Sequence, residues 1–151
     1  MSRRMTDTLI TTIAGLGMLL STLDTGIINV ALSFLKVHFQ TTTSITAFAV
    51  TGYSLALAIF ILPLGVFSDK LGKLKISYLG FVLFGLSSLF CGFSNSISWL
   101  IVGRIIQGIG AAALQATSAA LITTLVSEET KNSSISVLGV MIGLGPVLGP
   151  S

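Results

Sequence analysis

An aspartate lies within the first long apolar segment of this chain, which runs from residue 8 to residue 30. An ionised carboxylate there costs several kcal/mol unless it is paired, hydrated or protonated, so Asp24 is a candidate functional residue. Burial also favours the neutral acid, as a proton-exchanging site requires. The alternative is a structural role, in which Asp24 reaches the nearby interface or pairs with a buried base.

Arg104 is the second charged side chain inside an apolar segment. Helical spacing predicts one polar face that is turned to the interior and formed by Arg104, Gly108, Ala111 and Gln115. Gly108 and Ala112 are four residues apart, which favours close packing on a neighbouring helix. Arg104 therefore serves either a transport pathway or helix packing alone.

The two charges are expected at similar depths. At 1.5 Å per residue, Asp24 lies about 24 Å from the start of its segment, hence about 6 Å from the outer edge of a core of about 30 Å. Arg104 lies about 9 Å from the same edge. An interaction between Asp24 and Arg104 is therefore geometrically possible, although the sequence does not say whether their helices are neighbours.

A polar segment of eleven residues, 65–75, separates the second and third apolar stretches. Its glycines, acid and lysines are Gly65, Asp69, Lys70, Gly72, Lys73 and Lys75. We expect Gly72 to adopt the positive φ of a tight turn and Gly65 to admit a close backbone approach. Asp69 is expected near the positive start of the third helix, and the lysines near helix carbonyls or anionic headgroups. An ordinary positively charged loop would explain the lysines alone.

The last apolar stretch contains two Gly-Pro pairs, formed by Gly145, Pro146, Gly149 and Pro150. Proline removes a backbone donor and bends a helix, while glycine permits close packing at the bend. The pattern predicts a kinked helix that matters to gating. The alternative is a helix that simply ends there.

The composition predicts that lipid surrounds these segments. Hydrophobic residues make up 52% of the chain and charged residues 9%, whereas soluble domains carry roughly a quarter charged residues. Spans of about 20 apolar residues must be helical, because lipid offers the backbone no hydrogen bonds. The predicted spans are residues 8–30, 45–67, 76–93, 98–126 and 135–151. The predicted fold class is therefore an all-α membrane bundle.

The distribution of basic residues predicts a cytoplasmic N-terminus. With that orientation Lys36 alone lies outside, and the inner basic residues are Arg3, Arg4, Lys70, Lys73, Lys75 and Lys131. His38 is the single histidine, and no metal-ligand cluster or phosphate-binding loop is visible, so an enzyme is not expected. The sequence also lacks the soluble basic face that nucleic-acid binding requires.

These motifs, in this order, resemble the N-terminal part of a major facilitator superfamily transporter, from about Leu23 to Ser151. Segment 65–75 resembles the loop between helices two and three, and Gly145-Pro146 with Gly149 resembles the helix-five motif of exporters. Segment 23–32 is similar to the helix-one motif of drug:proton antiporters with fourteen spans. The fourth predicted span resembles the superfamily's helix-four motif at Arg104, Gln107, Gly108 and Gly110.

The resemblance implies a multi-pass plasma-membrane protein that exports small, cationic or amphipathic compounds in exchange for protons. The proton-motive force would supply the energy, and no cofactor is expected. The implied proton and substrate pathway consists of Asp24, Arg104, Gln107 and Gln115. Segment 65–75 would control the cytoplasmic gate, and the glycine-proline segment of helix five would favour export.

Members of this superfamily have twelve or fourteen spans, and their substrate path runs between two halves. The sequence is therefore expected to be an N-terminal fragment whose activity requires the remainder. The alternatives are a truncated remnant without transport activity and, less favoured by the helix-one and helix-five motifs, an importer of sugars or metabolites. The substrate, the proton stoichiometry, the number of spans in the parent and the oligomeric state stay open.

Overall fold

The computed structural model describes residues 2–149 and consists of helices joined by short connections. The helices are α1 (Arg3–His38), α2 (Thr43–Leu71), α3 (Lys73–Gly92), α4 (Ile97–Leu125) and α5 (Glu128–Leu148). No strand occurs within residues 2–149, and all five helices are long and apolar enough to cross a membrane. The all-α fold class predicted from the sequence is confirmed.

The helices extend beyond the apolar segments from which they were predicted. α1 contains 36 residues, so it is about 54 Å long and exceeds a hydrocarbon core of about 30 Å. α5 begins at Glu128, well before the apolar stretch predicted from residue 135, because its first two turns are helical but polar. The predicted spans thus remain predictions of where the lipid begins and ends.

Side-chain caps define where two of the helices begin. The Thr42 hydroxyl accepts a hydrogen bond from the Ile45 amide at 3.3 Å, and the Ser96 hydroxyl accepts one from the Trp99 amide at 3.4 Å. Each satisfies an amide that has no partner inside the helix. Trp99 is exposed beside the α3–α4 connection, as expected for a residue at a membrane interface.

The loop predicted at residues 65–75 is wrong in its extent. α2 continues through Leu71 and α3 begins at Lys73, so Gly72 alone separates them, with the expected positive φ of 106°. Asp69 consequently lies in the last turn of α2 and not at the start of α3. Lys73, the first residue of α3, donates a hydrogen bond to the Asp69 carboxylate at 2.8 Å. A helix need not end where its apolar residues end, which is why the pattern placed the boundary too early.

Gly65 also differs from the expectation. No backbone approaches Gly65, since the nearest atom to a Cβ built there is the Ala116 side chain at 4.0 Å. Lys70 and Lys75 are exposed, and within residues 2–149 neither donates a hydrogen bond to a helix carbonyl, so their contact with anionic headgroups stays a prediction. The segment is a helix–glycine–helix junction with an exposed basic surface.

α4 is the central helix and packs against both α2 and α3, while α1 packs against α4 and α5. Small residues allow these contacts: a Cβ on Gly108 would collide with the Tyr53 carbonyl oxygen of α2, and one on Gly110 would lie 2.8 Å from the Phe84 amide of α3. Ala112 is fully buried. The close-packing surface predicted on this helix is confirmed.

Candidate functional site

Asp24 of α1 and Arg104 of α4 form an ion pair. Arg104 Nη1 lies 2.5 Å from Asp24 Oδ2, and the structure therefore joins the two charges whose predicted depths matched. The exposed fractions of the two side chains differ, at 3% for Arg104 and 21% for Asp24. The carboxylate is thus the more exposed of the two partners.

Gln107 bridges the two charged groups. Its side-chain oxygen accepts a hydrogen bond from Arg104 Nη1 at 2.8 Å, and its Nε2 donates to Asp24 Oδ1 at 3.1 Å. Arg104 Nε also donates to the Ala49 carbonyl of α2 at 3.4 Å. Since Gln107 lies one helical turn after Arg104, both side chains project from the same face of α4. The carboxylate therefore has two oriented donors.

Gln115, the fourth residue predicted for this pathway, does not reach the ion pair. Its Nε2 donates to the Ser21 hydroxyl at 3.1 Å. Ser21 is buried and precedes Asp24 by one turn of α1, so this is a separate polar contact between the same two helices. The structure brings Asp24, Arg104 and Gln107 together and leaves Gln115 beside them.

Tyr53 of α2 belongs to the site but was missed by the sequence reasoning. Arg104 Cζ lies 4.3 Å from the centroid of its ring, and the Tyr53 hydroxyl donates to the Ser21 carbonyl at 3.1 Å. The side chain is 1% exposed. A signal existed, because a tyrosine inside an apolar stretch needs a partner for its hydroxyl. The sequence does not say which partner that is.

Asp7 was also missed, and it joins the first turns of α1 to the start of α5. Its carboxylate accepts hydrogen bonds from the Ser127 hydroxyl, from the Thr130 hydroxyl at 2.8 Å and from the Ser127 amide at 3.4 Å. These bonds, the Ser127 hydroxyl foremost, hold the pKa of Asp7 below its usual value. Asp7 precedes the apolar part of α1, and it caps α5 from another helix.

The glycine-proline segment of α5 lies against the C-terminal half of α1. A Cβ on Gly149 would lie 2.9 Å from the Cα of Gly26, two residues after Asp24, and Gly145 is similarly close to α1. Pro146 lies within α5. Pro150, the last residue predicted for this motif, lies outside the described residues. The role of this segment in gating stays a prediction.

The described part of the chain, residues 2–149, contains no group of three or more histidine, cysteine, aspartate or glutamate side chains that could hold a metal ion. Cys91 has a free thiol in α3. The chemistry that the site offers is therefore that of one partly exposed carboxylate held by a guanidinium and an amide.

Comparison with known proteins places this all-helical bundle among the membrane transporters. Residues 14–151 match the family model described as Major Facilitator Superfamily, and the chain belongs to that family.

Its relatives carry names that refer to transport and resistance. The riboflavin transporter RibZ of Clostridioides difficile (strain 630) is 33% identical over 89% of this chain. The multidrug resistance protein Stp of Mycobacterium tuberculosis (strain CDC 1551 / Oshkosh) is 35% identical over 100% of it, and the methylenomycin A resistance protein of Bacillus subtilis (strain 168) is 32% identical over 91%. The chain spans 28–30% of the length of these three relatives.

Proposed function

We propose that the chain forms the N-terminal part of a proton-coupled exporter of small cationic or amphipathic compounds. In this proposal the transporter lies in the plasma membrane with its N-terminus in the cytoplasm. The observation that carries the proposal is the ion pair between Asp24 and Arg104 inside a membrane-spanning bundle. Ionisable residues at such positions are expensive and are typical of ion and substrate pathways.

The unequal exposure of the two partners supports an exchange mechanism. The Arg104 side chain is buried, whereas the Asp24 side chain is partly exposed. An ionised Asp24 can attract a cationic solute, and a proton on the same carboxylate removes that attraction. Proton and solute therefore compete for one group, which is the requirement for antiport. Gln107 keeps the carboxylate oriented in either state by donating to Oδ1.

The comparisons support the transport class more broadly than the substrate. Two of the relatives named above are called resistance proteins, which agrees with export of toxic compounds. RibZ is named for riboflavin, so similarity of this degree does not select a drug over another small molecule. The preference for a cationic compound rests on Asp24 alone.

The decisive experiment is Asp24→Asn in the intact transporter that contains these residues. We expect loss of pH-gradient-driven efflux of ethidium, because an amide cannot exchange the proton, while the amount of protein in the membrane is retained. Glu129→Gln is the matched control, since it also removes one negative charge but lies exposed at the start of α5. Undiminished efflux by Asp24→Asn would overturn the proposed mechanism.

The size of the natural product separates an exporter from a truncated remnant. An immunoblot against the N-terminal residues should show a membrane band several-fold larger than the 15.7 kDa of this chain. A band near 15.7 kDa would favour the remnant, which would keep the ion pair without transport activity.

A further inference from the structure

We propose that Tyr53 is a positioning residue that keeps Arg104 in its buried place when Asp24 becomes neutral. The inference rests on the proposed function, because it concerns the state in which the carboxylate carries a proton. It adds to that site a residue of α2, a helix that contributes no charged group to it.

The contacts of Tyr53 connect both helices of the ion pair. Its ring lies beneath the Arg104 guanidinium at 4.3 Å, where the negative face of an aromatic ring attracts a cation. Its hydroxyl donates to the Ser21 carbonyl, one turn before Asp24 on α1. That bond orients the ring, and the almost complete burial of the side chain also holds it in place when the charges change.

The hydrogen-bond donors of Arg104 show why the ring matters most in the neutral state. Arg104 Nη1 donates hydrogen bonds to Asp24 and Gln107. Arg104 Nε donates only to the Ala49 carbonyl, at the long distance of 3.4 Å. Among the described residues Nη2 has no acceptor, although it is buried. Once Asp24 is neutral, the guanidinium keeps only neutral acceptors, namely Gln107, the Ala49 carbonyl and the carbonyl oxygen of the protonated carboxyl, together with the face of the Tyr53 ring.

A buried cation that has lost its counter-ion is strongly unfavourable unless another group compensates. The Tyr53 ring attracts the full charge of Arg104 and does so independently of the proton on Asp24. While the ion pair is intact, Asp24 also holds the guanidinium, so loss of the ring leaves a charged partner in place. When the carboxylate is neutral, loss of the ring leaves the guanidinium with neutral hydrogen-bond acceptors only, and the same loss therefore costs more. Arg104 then stays in place to receive Asp24 when the proton leaves.

A double-mutant cycle on the purified intact transporter tests this difference without any transport assay. The four proteins are the wild type, Tyr53→Leu, Asp24→Asn and the double variant, where asparagine stands for the neutral carboxylate. Thermal unfolding in detergent gives the loss in melting temperature for Tyr53→Leu in each background. We expect a loss at least several degrees larger in the Asp24→Asn background. An equal or smaller loss there would overturn the proposal.

Two controls separate the ring from the rest of the side chain and from tyrosine in general. Tyr53→Phe retains the ring, so its effect should be the same in both backgrounds. Tyr78→Leu removes an exposed ring of α3 and should also be additive with Asp24→Asn. Where Tyr53→Leu cannot be recovered alone, Tyr53→Met, whose flexible side chain adapts to the vacated space and has no π face, replaces it in the same cycle.

The result also distinguishes this inference from the proposed function. A background-dependent loss together with undiminished efflux by Asp24→Asn would retain Tyr53 as the support of Arg104 and reject the proton site. Additive losses together with abolished efflux would reject the role of Tyr53 and retain the proton site.

Discussion

Replacing Gly108 with alanine should force α2 and α4 apart at the level of the ion pair. The added Cβ would collide with the Tyr53 carbonyl oxygen and lie 3.0 Å from the Cβ of Ala56. The obstacle is backbone, which cannot rotate away as a side chain can. One helix must therefore move relative to the other.

Adding one methyl group to a packed interior in this way typically costs about 1–3 kcal/mol of the free energy of unfolding. Alanine also favours the helix over glycine by up to about 1 kcal/mol, which opposes part of that loss. Since Arg104 is one turn before Gly108, the shift should lengthen the 4.3 Å separation between its guanidinium and the Tyr53 ring. Stability and the geometry of the site should change together.

Thermal unfolding of the purified transporter measures the effect, and Gly85→Ala supplies the matched control. Gly85 lies within α3 with no atom within 4 Å of a built Cβ, so alanine there changes helix propensity without a collision. Gly108→Ala should unfold at a clearly lower temperature than Gly85→Ala. Equal unfolding temperatures would refute the close contact between α2 and α4 on which the site geometry depends.

Two further predictions concern the ends of the helices. The hydrogen bonds that lower the pKa of Asp7 stabilise the ionised form, so this contribution is present above its usual value of about 3.8 and is lost as the pH falls through the lower folded value. The difference in melting temperature between the wild type and Asp7→Asn should therefore be constant from about pH 8 to pH 5 and shrink below about pH 4; an unchanged difference at about pH 3 would contradict it. Gly72→Ala should cost about 1–3 kcal/mol, because a φ of 106° strains any residue with a Cβ although no atom lies within 4 Å. A melting temperature equal to that of Gly85→Ala would show that the junction between α2 and α3 adjusts freely.

The sequence was sufficient to predict the number and type of the helices and the matching depths of Asp24 and Arg104. These features depend on composition and on the rise of a helix, both of which are local. It did not predict the position of Asp69 at the end of α2, because helices continue past their apolar residues. Nor did it predict Tyr53 or Asp7, since their partners lie on other helices and only the packing of the bundle brings them together.

Stability alone is a weak explanation for the ion pair of Arg104. A buried ion pair is often no more stabilising than apolar side chains of similar volume, because both charges must be removed from water. The contacts that hold α4 in place are supplied by its small residues, among them Gly108 and Gly110. The ion pair adds to that packing two charges that are costly to bury, of which Asp24 is the more exposed. A charged group that is costly to bury and partly exposed is what the proposed exchange of a proton or a cation requires.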